Sequence, residues 1–128
     1  MTRADEQPQR VEVVRDDTLR ARVHFPEASF DVVVADLPYG VQHGSTAGAA
    51  LTRSAEDLLR DALPVWRSLV RRGGAIALAW NARTTKRATV VELLDASGFN
   101  VDMTTRETAF EHRVDRSITR DLVVGVAA

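Results

Sequence analysis

The run Phe30-Asp31-Val32-Val33-Val34-Ala35-Asp36-Leu37-Pro38-Tyr39-Gly40 limits the fold more than any other part of the chain. Its first half is short, apolar and rich in β-branched residues, which reads as a strand buried on both faces. Its second half stops that strand. Pro38 cannot donate to a ladder and biases Leu37 toward an extended conformation, while Gly40 permits a turn. Asp36 and Tyr39 are thereby expected at the carboxyl end of a central strand, where open α/β sheets bind their ligands. A carboxylate accepts N–H groups and an aromatic ring stacks on flat partners, so the two suit a planar substrate bearing an amine. The simpler reading is a strand followed by an ordinary Pro-Tyr-Gly turn.

The same residues carry a resemblance. Asp36-Leu37-Pro38-Tyr39 resembles the (Asp/Asn)-Pro-Pro-Tyr motif of class I S-adenosylmethionine-dependent amino-methyltransferases, with Leu37 replacing the first proline. The resemblance implies that Asp36 and the Leu37 carbonyl accept hydrogen bonds from a target amine while Tyr39 stacks on its base. Transfer then rests on holding the amine nitrogen in line with the methyl group, with no metal required.

The remaining chain is compatible with such a fold. At 128 residues it is long enough for one domain with a real core. Cysteine is absent, which excludes disulfides, thiolate zinc sites and cysteine nucleophiles. No apolar run approaches a membrane span and the first residues lack a signal-like core, so a cytoplasmic protein is expected. Residues 1–9 read as a flexible tail, and 10–128 as a partial methyltransferase-like domain. Val11-Glu12-Val13-Val14 reads as a strand, followed by Asp16-Asp17. In the resemblance this strand end carries an acid facing the cofactor's adenine amine; Asp17 matches better and Asp16 is the reserve. Two acids at a strand end are otherwise solvated turn residues. His43 lies in a small-residue loop after Gly40, as either a substrate contact or a solvated histidine.

Ser54 with Asp57 marks a helix start, and Leu58, Leu59, Ala62, Leu63, Trp66, Leu69 and Val70 keep a helical apolar stripe. Pro64 predicts a kink or split, with Arg71-Arg72 and Gly73-Gly74 ending the helix. Ala75 to Trp80 reads as a second buried strand that Asn81 ends. Thr84 or Thr85 is the expected cap of a further helix with Ala88, Val91 and Leu94 inward, closed by Ser97-Gly98. Strands follow from Phe99 to Thr104 and from Ile118 to Val126. Alternating strands and helices argue for a largely parallel sheet covered on both faces.

Arg67, Arg71, Arg72, Arg83, Lys86 and Arg87 form an acid-free stretch that suits either a phosphate backbone or solvated helix ends. His112-Arg113-Val114-Asp115-Arg116-Ser117-Ile118-Thr119-Arg120 resembles the Arg-Ser-(Leu/Ile)-Thr-Arg segment of THUMP-associated tRNA guanine-N2 methyltransferases. That resemblance implies tRNA as partner, S-adenosylmethionine as cofactor, and Arg113, Arg116 and Arg120 as RNA contacts. Pairing of these arginines with Glu111, Asp115 or Asp121 is the competing reading.

One departure stands out. The chain has no Gly-x-Gly loop for the cofactor's methionine end. It therefore resembles the later part of a catalytic domain. The expected fold is a Rossmann-like α/β methyltransferase sheet, mostly parallel with an antiparallel last strand, lacking the first two family strands. With those absent, Val11–Val14 is expected beside Val32–Val34, giving the order 3-4-5-7-6 in family numbers and bringing Asp17 near Asp36. A homodimer or complementing chain would cover any exposed edge. Methylation of another amine (adenine N6 or glutamine) and a non-catalytic RNA- or partner-binding remnant are the alternative functions.

Overall fold

The computed structural model describes residues 9–37, 54–101, 112–113 and 119–128, the pair 112–113 by backbone alone. Its centre is a sheet of β1 (Phe30–Asp36), β2 (Val70–Asn81), β3 (Phe99–Val101), β4 (His112–Arg113) and β5 (Thr119–Ala127). The strand order is β1-β2-β5-β3, with β4 also beside β5. β1 and β2 run parallel, while β5 lies antiparallel to β2, β3 and β4. A mixed sheet with an antiparallel last strand is therefore present, beginning at β1.

Between β1 and β2 the chain forms α2 (Ala55–Leu69). Ser54 caps it as expected, its hydroxyl accepting from the Asp57 N–H at 3.1 Å. Pro64 sits on the exposed side of this one continuous helix and does not split it. The helix ends at Leu69, ahead of the two arginines and two glycines, because residues 70–74 already belong to β2. The register slips there: Phe30 lies opposite Val70, but Val32 lies opposite Ala75. Arg71 to Gly74 thus bulge out of the ladder, and Arg71 Nε donates to Asp31 Oδ1 at 2.8 Å.

Helix α3 (Arg87–Ala96) starts later than either threonine. Thr84 instead donates its hydroxyl to the Asn81 carbonyl at 3.0 Å, and Lys86 is the residue before the first turn. Its inward residues are Val90, Val91 and Leu94, whereas Ala88 is exposed. Gly98 closes it at φ +94°, a left-handed conformation that glycine adopts readily.

Side chains from α2 (Leu59, Ala62, Leu63, Trp66) and α3 join Ile76, Leu78, Trp80 and Val123 in a single core. All of these strand residues lie on one face of the sheet. The opposite face presents Val32, Val34, Ala75, Ala77, Ala79, Leu122 and Val126, and here Val32 is 52% and Val34 77% exposed. The expectation of a strand buried on both faces is thus corrected: among the described residues, helices cover one side only.

Val11–Val14 is likewise not a strand, and Val11 and Val13 are exposed. The segment after it explains why. A 3-10 turn (Thr18–Arg20) and α1 (Ala21–His24) dock on α2, with Trp66 Nε1 donating to Thr18 Oγ1 at 2.7 Å and Arg22 Nε to Ser68 Oγ at 2.8 Å. Beside an uncovered sheet face, four residues of extra strand would bury too little to offset the entropy of ordering them. No described helix is long and apolar enough to cross a membrane.

Candidate functional site

The expected site residue Asp36 is the last residue of β1, at its carboxyl end. Leu37 follows with its side chain buried, and its N–H donates to the Ala79 carbonyl at 2.8 Å. That bond continues the β1–β2 ladder past Asp36 and fixes where the carboxylate emerges. By alternation along the strand, Asp36 shares the open face with Val32 and Val34. It stands level with Ala79 of β2.

Arg120, near the start of β5, reaches across β2 and donates Nη2 to Asp36 Oδ2. β1 and β5 are not neighbours in the sheet, so the guanidinium has to span an intervening strand. Ala79 lies between the two on the same face, and its single methyl leaves the path clear. Both side chains stay part-exposed, 40% for Arg120 and 51% for Asp36, so water screens the pair. Together with Val34, Ala77, Ala79 and Leu122 they line a hollow of about 360 Å³. Its floor is small and apolar, with one anionic and one cationic group at the rim. A flat ring fits such a floor, and the rim offers an acceptor next to a donor.

The two residues expected at the cofactor's adenine lie elsewhere. Asp16 and Asp17 line a separate hollow with Thr18, His24 and Phe25, so Asp17 does not join Asp36 in one site. The expected approach of Asp17 to Asp36 fails because it depended on Val11–Val14 pairing with β1. Asp17 Oδ1 accepts from the Leu19 N–H at 2.9 Å, capping the 3-10 turn. Asp16 Oδ2 receives His24 Nε2 at 2.7 Å and Arg20 Nε at 3.1 Å. The His24 bond, then Arg20, then the Asp17 N–H hold the Asp16 carboxyl down at about 2.

Pro38, Tyr39, His43 and Arg116 lie outside the described residues. Arg113 is placed by its backbone in β4, opposite Thr119. Most of the acid-free basic stretch is engaged internally. Arg67 donates to the carbonyls of Gly98 and Val70, Arg71 to Asp31, Arg83 to Thr119, and Arg87 to Asp121. Sequence reading missed the apolar lining of the hollow (Val34, Ala77, Ala79 and Leu122) and the pairing of Arg120 with Asp36. The alternation Arg120, Leu122, Val124, Val126 already put Arg120 on one face; only the strand order reveals that Asp36 shares it.

No protein-family model matches the chain, and no curated protein matches it. Solved structures do. An S-adenosylmethionine-dependent methyltransferase from Methanosarcina mazei superposes with a TM-score of 0.61 at 10% identity, over 96% of this chain and 70% of the other. A Thermus thermophilus protein assigned as a DNA modification methylase, solved with S-adenosyl-L-methionine, gives 0.58 at 17% identity, over 87% and 53%. TrmN from Thermus thermophilus gives 0.55 at 20% identity, over 90% and 28%. The fold is thus the Rossmann-like fold of S-adenosylmethionine-dependent methyltransferases. The chain spans about half the length of the Thermus methylase it matches.

Proposed function

We propose that this chain is the substrate-holding part of an amino-methyltransferase acting on RNA, of the tRNA guanine-N2 type. The observation that carries the reading is Asp36 at the carboxyl end of β1, on the rim of a hollow floored by Val34, Ala77, Ala79 and Leu122. There Asp36 accepts an N–H of the target amine, with the Leu37 carbonyl as second acceptor and Tyr39 stacking on the base. Arg120 restrains the carboxylate and offers its remaining N–H groups to an acceptor beside that amine. Arg113 and Arg116 take RNA phosphates.

The cofactor of the fold family does not fit the described residues. Asp16 is occupied by His24 and Arg20, Asp17 caps a turn, and the sequence contains no Gly-x-Gly to cradle a methionine moiety. S-adenosylmethionine binding therefore needs further polypeptide, and the chain alone serves substrate recognition. A second reading, the exocyclic amine of a DNA base, is favoured by the likeness to the DNA modification methylase.

Equilibrium binding to unmodified tRNA and to duplex DNA, across a salt series, tests the proposal. Tighter, salt-dependent binding of tRNA that weakens in Asp36→Ala supports it. Preference for DNA selects the second reading, and binding of neither nucleic acid removes both.

A further inference from the structure

The link between Asp36 and Arg120 limits which edge of a base the hollow can take. We infer that Arg120 sets that edge: a guanine is held by its 2-amine and N3, on the minor-groove side, and not by its 2-amine and N1–H. The inference rests on the amine contact proposed for Asp36 and adds the atom beside that amine.

The strand registers lay the pair out along one side of the hollow. Asp36 is level with Ala79, Ala79 with Leu122, and Arg120 with Asn81, beyond Ala79 toward the carboxyl end of β1. The Arg120 side chain therefore reaches back and across β2 to meet Asp36 Oδ2. The floor of Val34, Ala77, Ala79 and Leu122 extends from this link toward the amino end of β1. A ring lying flat on the floor turns one edge toward the link. That edge meets a carboxylate on the β1 side and a guanidinium on the β5 side. Both groups are part-exposed, so a base can reach them without opening the core.

An isolated carboxylate can take two adjacent N–H groups, one on each oxygen, as the 2-amine and N1–H of guanine present them. Here Oδ2 already takes Arg120, and among the described residues Oδ1 accepts from none. Asp36 thus offers Oδ1 to a single N–H. The atom beside that N–H faces a guanidinium, which has donors only and stays charged. Against N1–H, two hydrogens would point at each other. Against an unprotonated ring nitrogen, the same donor makes a charge-assisted bond. On guanine the ring nitrogen that fits is N3, and N1–H and O6 then point away from the pair. Adenine and cytosine also carry an amine beside a ring acceptor, so the choice of guanine is that of the proposed function. The choice of edge comes from Arg120.

The test uses the 128-residue chain and short oligouridines with one central purine, because uridine has no exocyclic amine. Fluorescence anisotropy of labelled oligonucleotides gives the dissociation constants. Guanosine should bind about tenfold tighter than inosine, which lacks the amine. It should also bind about tenfold tighter than 3-deazaguanosine, which lacks only the N3 acceptor. 1-Methylguanosine, blocked at N1 alone, should bind like guanosine. In Arg120→Ala the preference over 3-deazaguanosine should disappear while that over inosine remains. No preference over inosine removes the amine contact, and the inference with it. A preference over inosine without one over 3-deazaguanosine overturns the inference and leaves the proposed function standing. Weaker binding of 1-methylguanosine does the same, as does an Arg120→Ala protein that still rejects 3-deazaguanosine.

Discussion

Arg87, in the first turn of α3, donates Nη1 to Asp121 Oδ1 at 2.9 Å and to the Leu122 carbonyl at the same distance. The Asp121 side chain is 1% exposed and that of Arg87 14%. This pair fastens the helix layer to the central antiparallel strand. Asp121 points into that layer while its neighbour Arg120 points to the open face, so adjacent residues serve opposite sides of the sheet. Arg87 places a cation beside a buried carboxylate that also accepts from the Leu122 N–H at 2.8 Å. Breaking a buried pair from one side costs about 3–5 kcal/mol at most, so Arg87→Ala should lower unfolding free energy by about 1–5 kcal/mol. Urea denaturation measures it, and a loss below about 1 kcal/mol would mean that the other contacts of Asp121 suffice to hold its charge.

The Asp36–Arg120 pair should behave differently. Both partners are part-exposed, so Arg120→Ala should change stability by no more than about 1 kcal/mol. Its effect should fall on substrate handling, since the carboxylate loses its restraint. In an assembled enzyme, Asp36→Ala should cut turnover far more than it weakens cofactor binding, because the amine contact strengthens as the nitrogen attacks. Full turnover in Asp36→Ala would remove Asp36 from the chemistry.

These two pairs mark how far the sequence alone could be read. β1, the Ser54 cap, the end of β2 at Asn81 and the Ser97-Gly98 stop are each encoded by a few neighbouring residues, and all are found. Val11–Val14 carries the same local signal as β1 but lacks a covered face to join, which local pattern does not report. The apolar run Val32-Val33-Val34 suggested burial on both sides for the same reason. The bulge at Arg71–Gly74 arises because β2 keeps pairing where the helix was expected to continue. Asp36 was legible as the end of β1 from the Pro-Tyr-Gly run that follows it. The pairing of Arg120 with Asp36 was not legible, because a partner on a non-adjacent strand leaves no mark in sequence spacing.

RNA binding should separate the arginines. Replacing Arg113 and Arg116 by alanine should flatten the salt dependence of tRNA binding, by about 0.7–0.9 in slope for each phosphate no longer neutralised. Arg120→Ala should flatten it less, because its guanidinium is held by Asp36. Equal changes of slope per arginine would place all three on phosphates.

Gly74 should resist substitution. A Cβ there would stand 2.6 Å from the Asp31 carbonyl oxygen and 2.6 Å from Val70 Cγ1. Backbone of the paired strand is one of these obstacles, so Gly74→Ala should destabilise by about 1–3 kcal/mol. A thermal midpoint equal to that of the parent would mean that the bulge relaxes without loss.

Acid should release the Asp16 cluster. Its carboxyl is held at about 2 by His24, Arg20 and the Asp17 N–H, below the ordinary 3.8. A depressed carboxyl stabilises the fold above the unfolded value and loses that contribution as pH falls through the folded one. The contribution should therefore be complete above 3.8 and vanish toward about 2, and His24→Ala should narrow that window. Chemical-shift titration of Asp16 in both proteins checks it; an unchanged midpoint in His24→Ala would assign the depression to Arg20 and backbone alone.

Both tryptophans belong to the covered side of the sheet. Trp80 is fully buried, its indole N–H on the Thr85 carbonyl at 2.9 Å, and Trp66 is 8% exposed against Thr18. The intrinsic fluorescence of the protein is therefore a gauge of the helix layer. Its emission will redden when α2 or the Thr18–His24 segment lifts, yet a base settling on Ala77 and Ala79 meets no indole on that face. A silent fluorescence titration would be blind to that event, whereas methyl resonances of Val34 and Leu122 would see it directly.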